Sequence, residues 1–291
     1  MPNAVGTAGS AIVGGALYCL GGENSSAGTP LDYVQIYQPA IQSPAITPGG
    51  VVSASAFGGF TSIAPGSWIE IYGSNLASDS RSWTASDFNG IDAPTSLDNT
   101  YVTIGGQAAF IDYISPVQVN ALVPSNVVAG HQQVTVTTPS GMSSPFTVNV
   151  NAAQPGLLAP SSFDLNGTQY VVALFLDGSY VLPAGAIAGI NSHPAQAGDT
   201  IVLYGVGFGP VIPNIQAGQL VGQSNAIASG LQMFIGGQPA MALYSGLAPN
   251  YTGLYQFNLV VPNTTVTGAI PLTFTLGGVP CTQTLNIAIQ D

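Results

Sequence analysis

The chain repeats itself, and that constrains its fold more than any other feature. Pro65-Gly66-Ser67-Trp68-Ile69-Glu70-Ile71-Tyr72-Gly73 returns as Ala197-Gly198-Asp199-Thr200-Ile201-Val202-Leu203-Tyr204-Gly205. Ile104-Gly105-Gly106-Gln107-Ala108-Ala109, ending at Tyr113, returns as Ile235-Gly236-Gly237-Gln238-Pro239-Ala240, ending at Tyr244. Gln118, Asn120 and Pro124 return as Gln256, Asn258 and Pro262. The offset is 132 (65 to 197), then 131 (104 to 235), then 138 (118 to 256). The second copy therefore gains about seven residues between Tyr244 and Gln256, and Pro249-Asn250-Tyr251 lies among them. Two copies of one pattern predict two copies of one fold.

Within each copy the apolar positions alternate. Val134 and Val136 are answered by Leu272 and Phe274; Phe146, Val148 and Val150 by Leu285, Ile287 and Ile289. Period two puts one face of a strand in a core and the other in water. Lysine is absent and Arg81 is the only arginine, so helix formers such as Lys, Glu and Arg are almost absent, while Val, Ile, Thr, Tyr and Phe fill the runs between Gly and Pro. The fold class is all-β: two tandem immunoglobulin-like β-sandwiches, each of about seven short strands. The expected domains are 1–40, 41–152 and 153–291, with the internal break near Ala152–Pro160.

Residues 11–40 carry short apolar runs between Gly-Gly pairs. Gly14-Gly15, Leu17-Tyr18, Gly21-Gly22, Val34, Tyr37 and Pro39 resemble a kelch repeat, one blade of a β-propeller. One blade cannot bury both faces alone. The resemblance therefore implies an upstream propeller in a longer parent protein, and residues 1–40 are expected to be loosely packed rather than an independent domain. Residues 40–66 read as a Ser, Ala, Pro and Gly-rich linker entering a strand near Val51–Phe60.

The duplicated region resembles the C-terminal domain of secreted acidobacterial proteins called the Solibacter type. Pro65–Leu76 matches its opening motif, Tyr113–Pro124 its central Y-x-S-P-x-Q-(I/V)-N-x-x-V-P, and Tyr244–Pro262 its closing segment. The halves also resemble IPT/TIG domains, a variety of the immunoglobulin fold. The resemblance covers about residues 45–291. It implies a non-catalytic module of an exported protein, extracellular or at the cell surface, and brings no catalytic residues with it.

Charge narrows the function classes. Only 4% of residues are charged, the net charge is −11, and Arg81 is the one cation. Phosphate neutralisation needs several Lys or Arg, so nucleic acid is excluded as a partner. No window reaches the length of a membrane helix, so no membrane insertion is expected. Met1–Ser10 lacks the basic start of an export signal. Cys19 and Cys281 permit one disulfide at most, and two unrelated thiols are the simpler expectation.

Candidate chemistry is sparse. His131 and His193 are the only histidines, and no G-x-S-x-G elbow accompanies them, so a serine hydrolase is a remote alternative. Asp87-Phe88-Asn89-Gly90-Ile91-Asp92 is oxygen-rich but lacks the spacing of a calcium loop. No cofactor or metal is expected. Trp83, Phe88 and Tyr251 fall in polar loops, where rings stack on sugars or anchor a partner, and are the candidate ligand contacts. Trp68 and Tyr72 alternate with Ile69 and Ile71, which suits contacts between the domains. Gln118, Asn120, Gln256 and Asn258 are expected to bond loop backbone. The function expected is a structural, spacer or adhesion module; the alternative is an accessory domain for carbohydrate or another polymer. Its partner would be a protein or an extracellular polysaccharide.

Overall fold

The computed structural model describes residues 9–13, 16–21, 23–24, 29–30, 34–37, 42–55, 60–263 and 266–291. The chain forms two compact units, Met1–Gln42 and Ser43–Asp291. In the first, β1 (Gly9–Val13), β2 (Ala16–Leu20) and β3 (Val34–Tyr37) form an antiparallel sheet in the order β1-β2-β3. Ala16 and Cys19 are buried, whereas Ile12, Val34, Ile36 and Tyr37 are exposed. Gly14-Gly15, Gly22 and Pro39 of the kelch-like pattern lie outside the described residues.

The second unit is all-β, with large sheets consistent with immunoglobulin-like sandwiches. Its first half starts with β4 (Ala45–Ser53), so the strand begins earlier than the linker expectation placed it. Thr47-Pro48-Gly49-Gly50 forms an irregularity between Ile46 and Val51, and pairing resumes beyond it. Composition alone hid this strand, because a bulge tolerates the Pro and Gly that normally end one. Then follow β5 (Ser62–Ile63), β6 (Trp68–Ser74), β7 (Arg81–Ser82), β8 (Ser96–Leu97), β9 (Thr100–Ile104), β10 (Phe110–Ile114), β11 (Gln118–Leu122), β12 (Gly130–Thr138) and β13 (Phe146–Val150). One sheet runs β4-β6-β11-β10-β7, the other β8-β9-β12-β13-β5. Ile69, Ile71, Ile104, Ile111, Ile114, Val119, Val134 and Val136 fill the core between them, each fully buried.

The second half uses β14 (Gly156–Leu157), β15 (Ala173–Phe175), β16 (Tyr180–Val181), β17 (Ser192–His193), β18 (Thr200–Val206), β19 (Leu231–Ile235), β20 (Gln238–Leu247), β21 (Tyr255–Val260), β22 (Gly268–Leu276) and β23 (Leu285–Ile289). Its pairings repeat those of the first half. Ile104 faces Val134 and Ile235 faces Leu272; Gln118 faces Tyr72 and Gln256 faces Tyr204. The long β20 pairs with β19 through Gln238–Ala240 and with β21 through Met241–Leu247, joining what are two sheets in the first half. Phe208 sits at the centre of this core, against Tyr255, Phe257 and Phe274. Truncating a ring so enclosed costs about 3–5 kcal/mol.

Candidate functional site

The site begins with a β-bulge. Ile111 pairs with Ala121 and Tyr113 with Asn120, leaving Asp112 as the extra residue of β10. The bulge lets both Ile111 and Ile114 enter the core, so Asp112 falls on the outer face of the sheet. That face also carries Asn120, opposite Glu70, and Gln118, opposite Tyr72. The Tyr72 hydroxyl donates to Glu70 Oε2 at 2.5 Å, and burial together with that carboxylate pushes the phenol up to about 12. One carboxylate oxygen of Asp112, Oδ1, is buried without a hydrogen-bond partner. Burial pushes the Asp112 carboxyl up to about 6; the Asn120 amide opposes the shift and Glu70 adds to it.

A loop rises beside this face. The backbone N–H of Trp83 donates to Asp112 O at 2.8 Å, which continues the sheet edge. A short 3₁₀ turn, Ala85–Asp87, follows with Thr84 as its cap. Arg81 ties the loop at both ends. Its guanidinium donates to both oxygens of Asp87 at 2.9 and 3.0 Å and to both of Asp98 at 2.5 and 3.0 Å. Arg81 holds the Asp87 carboxyl down at about 2, with help from Thr84. Bidentate pairing of this kind fixes direction as well as distance. Trp83 is thereby held edge-on to Trp68, with centroids 5.6 Å apart, and tilted against Phe88 at 4.8 Å.

The facing wall comes from the second half. The seven-residue insertion forms the turn Ala248–Leu254, closed by Ala248 N–H to Leu254 O at 2.8 Å, with Asn250 at a positive φ of 65°. Trp68 Nε1–H donates to Thr252 O at 2.8 Å across the two halves. Gly253 makes that approach possible: its φ is +66°, and a Cβ there would lie 2.4 Å from Leu122 Cδ1. A second seam joins the loop to residues 218–220 through Ala93 N–H to Gly218 O and Leu220 N–H to Ile91 O.

Between these walls lies a cleft of about 660 Å³. Trp68, Trp83, Phe88 and Tyr251 line it, with Asp112, Asn120, Asn250 and Thr252 as polar groups. Tyr251 is 57% exposed. A volume of several hundred Å³ with apolar walls and a few polar groups is the usual form of a small-ligand site. The structure thus brings Trp83, Phe88 and Tyr251 around one space, although they come from distant parts of the chain. Sequence analysis missed Asp112. Its signal was present: the equivalent residue of the second copy is Leu243, also the extra residue of a bulge, between Ala242 and Tyr244. A charge where the duplicate has a leucine marks a departure from what the scaffold requires.

The other candidates do less. Gln118 Nε2 donates to Asn120 Oδ1 at 2.8 Å, and Gln256 Nε2 to Asn258 Oδ1 at 2.8 Å. These pairs bond along their own strand instead of reaching loop backbone, because i and i+2 share one face, and Asn120 also bonds the Asp112 carboxyl on β10. The oxygens of Asp87 are taken by Arg81 and Thr84, so the Asp87–Asp92 loop is tied by a guanidinium where calcium was considered. Among the described residues no group of three or more His, Cys, Asp and Glu could hold a metal ion. His131 is exposed on β12. His193 Nε2 lies 3.4 Å from Ser179 Oγ, but that hydroxyl donates to Asp177 Oδ1 at 2.6 Å, and His193 Nδ1 faces Pro194 O. The carboxylate sits on the serine, not behind the imidazole, which is not the order a hydrolytic triad needs. The described residues form no disulfide, and burial pushes the Cys281 thiol up.

Residues 59–163 match the IPT/TIG domain family and residues 6–43 the Kelch motif. No curated protein matches the chain. Solved structures similar to it include the Bacteroides ovatus mixed-linkage glucan utilization locus protein SGBP-B in complex with a mixed-linkage heptasaccharide, at 13% identity and TM-score 0.36, covering 94% of this chain and 52% of that one. Others are SGBP-B from a Bacteroides uniformis complex xyloglucan utilization locus, at 14% identity and TM-score 0.23 (85% and 49% covered), and surface layer protein SbsC, domains 4–9, at 11% and 0.25 (96% and 36% covered). The chain spans about half the length of the first two. Among the described residues no helix is long and apolar enough to cross a membrane. The chain contains an IPT/TIG-like domain and an N-terminal kelch-type segment.

Proposed function

We propose that the second unit is a non-catalytic, glycan-binding accessory module, with the cleft between its halves as the binding site. The observation that supports this is the set of four rings around one space of about 660 Å³, two of them fixed by the Arg81-tied loop. Pyranose rings present apolar C–H faces that stack on aromatic side chains, while hydroxyls bond amides and carboxylates. Asn120, Asn250 and Asp112 supply such groups. The same reading takes the module as the Solibacter type, carried on an exported protein with an upstream propeller to which the kelch-type segment belongs, and acting outside the cell or at its surface. It favours the accessory role over a spacer, because a spacer has no use for an open aromatic cleft.

Affinity electrophoresis through gels containing soluble polysaccharides tests it. Retardation by at least one polysaccharide is expected, and Trp83→Ala combined with Tyr251→Ala should abolish it. Migration unchanged in every gel would return the module to a spacer role.

A further inference from the structure

The two halves serve as each other's control. Asp112 corresponds to Leu243, Glu70 to Val202 and Trp68 to Thr200. Val202 faces Asn258 as Glu70 faces Asn120, and both bulges keep the same register. The second half folds the same ladder with no carboxylate at either position, so neither acid is needed for folding. Asp112 moreover works against stability, since a carboxylate oxygen buried without a partner is costly. The chain's one cation does not relieve it, because Arg81 is committed to Asp87 and Asp98. The cleft therefore combines negative charge with aromatic faces. Ring faces attract cations, and more strongly as water is excluded. A neutral sugar would give the carboxylate hydroxyl hydrogen bonds but no opposite charge, and an anionic one would be repelled.

We infer that the cleft selects a glycan bearing protonated amines, of the glucosamine type, with an ammonium beside Asp112 and the rings against the sugar. This rests on the glycan-binding reading above and narrows it to one ligand class.

Three β-1,4 hexamers differing only at C2 test it: glucosamine, N-acetylglucosamine and glucose, by calorimetric titration at a pH just above about 6, where Asp112 is ionised and the amine still carries its proton. The glucosamine hexamer should bind at least about tenfold more tightly than the other two, a difference of about 1.4 kcal/mol. Asp112→Asn should remove that preference and leave a folded protein with a sharp thermal transition. Asp164→Asn removes the same charge from a residue that does not line the cleft and should leave binding unchanged. An equal loss in both variants would assign the binding to net charge and overturn the inference. Equal affinity for all three hexamers would overturn it too, while the glycan reading stood. Binding of none would overturn it as well, and the electrophoresis above would then decide the glycan reading by itself.

Discussion

Asp112→Asn should stabilise the protein at neutral pH, and the gain should vanish in acid. The folded carboxyl titrates at about 6 against 3.8 for an unperturbed aspartate, with burial the largest cause. A raised acid pKa means that the folded state holds its proton where the unfolded state has lost it. Asp112 therefore contributes full stability below about pH 4, loses it as pH climbs from there through about 6, and is at its worst above 7. The difference between about 6 and 3.8 corresponds to about 3 kcal/mol. That is an upper value for the substitution, because the new amide must also be desolvated. It would raise the midpoint by at most roughly 6–12 °C. Paired thermal melts of the two proteins from pH 3.5 to 8 measure it. Carboxylates other than the neighbouring Glu70 cancel in the difference, which should be near zero at the acid end and reach its plateau above pH 7. A flat difference, or a variant less stable at pH 8, would show that the carboxylate is satisfied in the folded protein and would refute the reasoning.

Three further outcomes are expected. Arg81→Gln should release the loop 83–98, seen as faster amide hydrogen exchange there and weaker glycan binding, with the second half's core unchanged. The depressed Asp87 pKa gives this tie the opposite pH sign: its contribution is full above the unperturbed 3.8 and fades as pH falls through about 2. Trp68→Phe should remove the indole donor to Thr252, cost about 1 kcal/mol and separate the calorimetric transitions of the two halves. His193→Ala should leave ester and glycoside turnover at background; measurable turnover in the parent that disappears in the variant would restore the hydrolase.

The paired strands were legible because the apolar alternation of Ile69 and Ile71, or Val134 and Val136, is dictated by one core face and repeats with the duplication. The start of β4 was not, since Pro48, Gly49 and Gly50 obey the local geometry of a bulge. Trp83, Phe88 and Tyr251 stood out as large rings in polar loops. Their meeting was invisible, because it depends on how the halves pack: Gly253 lets the inserted turn reach Trp68, and nothing in local sequence encodes that approach. The amide pairs at 118/120 and 256/258 were legible from their repeated spacing, although Asn120 also lines the cleft. Their partners could not, because i to i+2 bonding along a strand and bonding to a loop need the same residues.

Duplication also explains why the site lies where it does. One copy has an outer sheet face with no partner. A second copy placed against it covers part of that face and leaves a trough at the seam. The scaffold then needs little change to make a pocket. An insertion of about seven residues in the second copy supplies one wall, and the loop tied by Arg81 in the first supplies the other. Positions such as 112 and 70 are released from core duty by the bulge and the strand alternation, so they can carry charge without disturbing either core. Their partners at 243 and 202 took apolar residues under the same backbone. The difference between the copies, rather than what they share, is therefore where binding chemistry is to be sought in this chain.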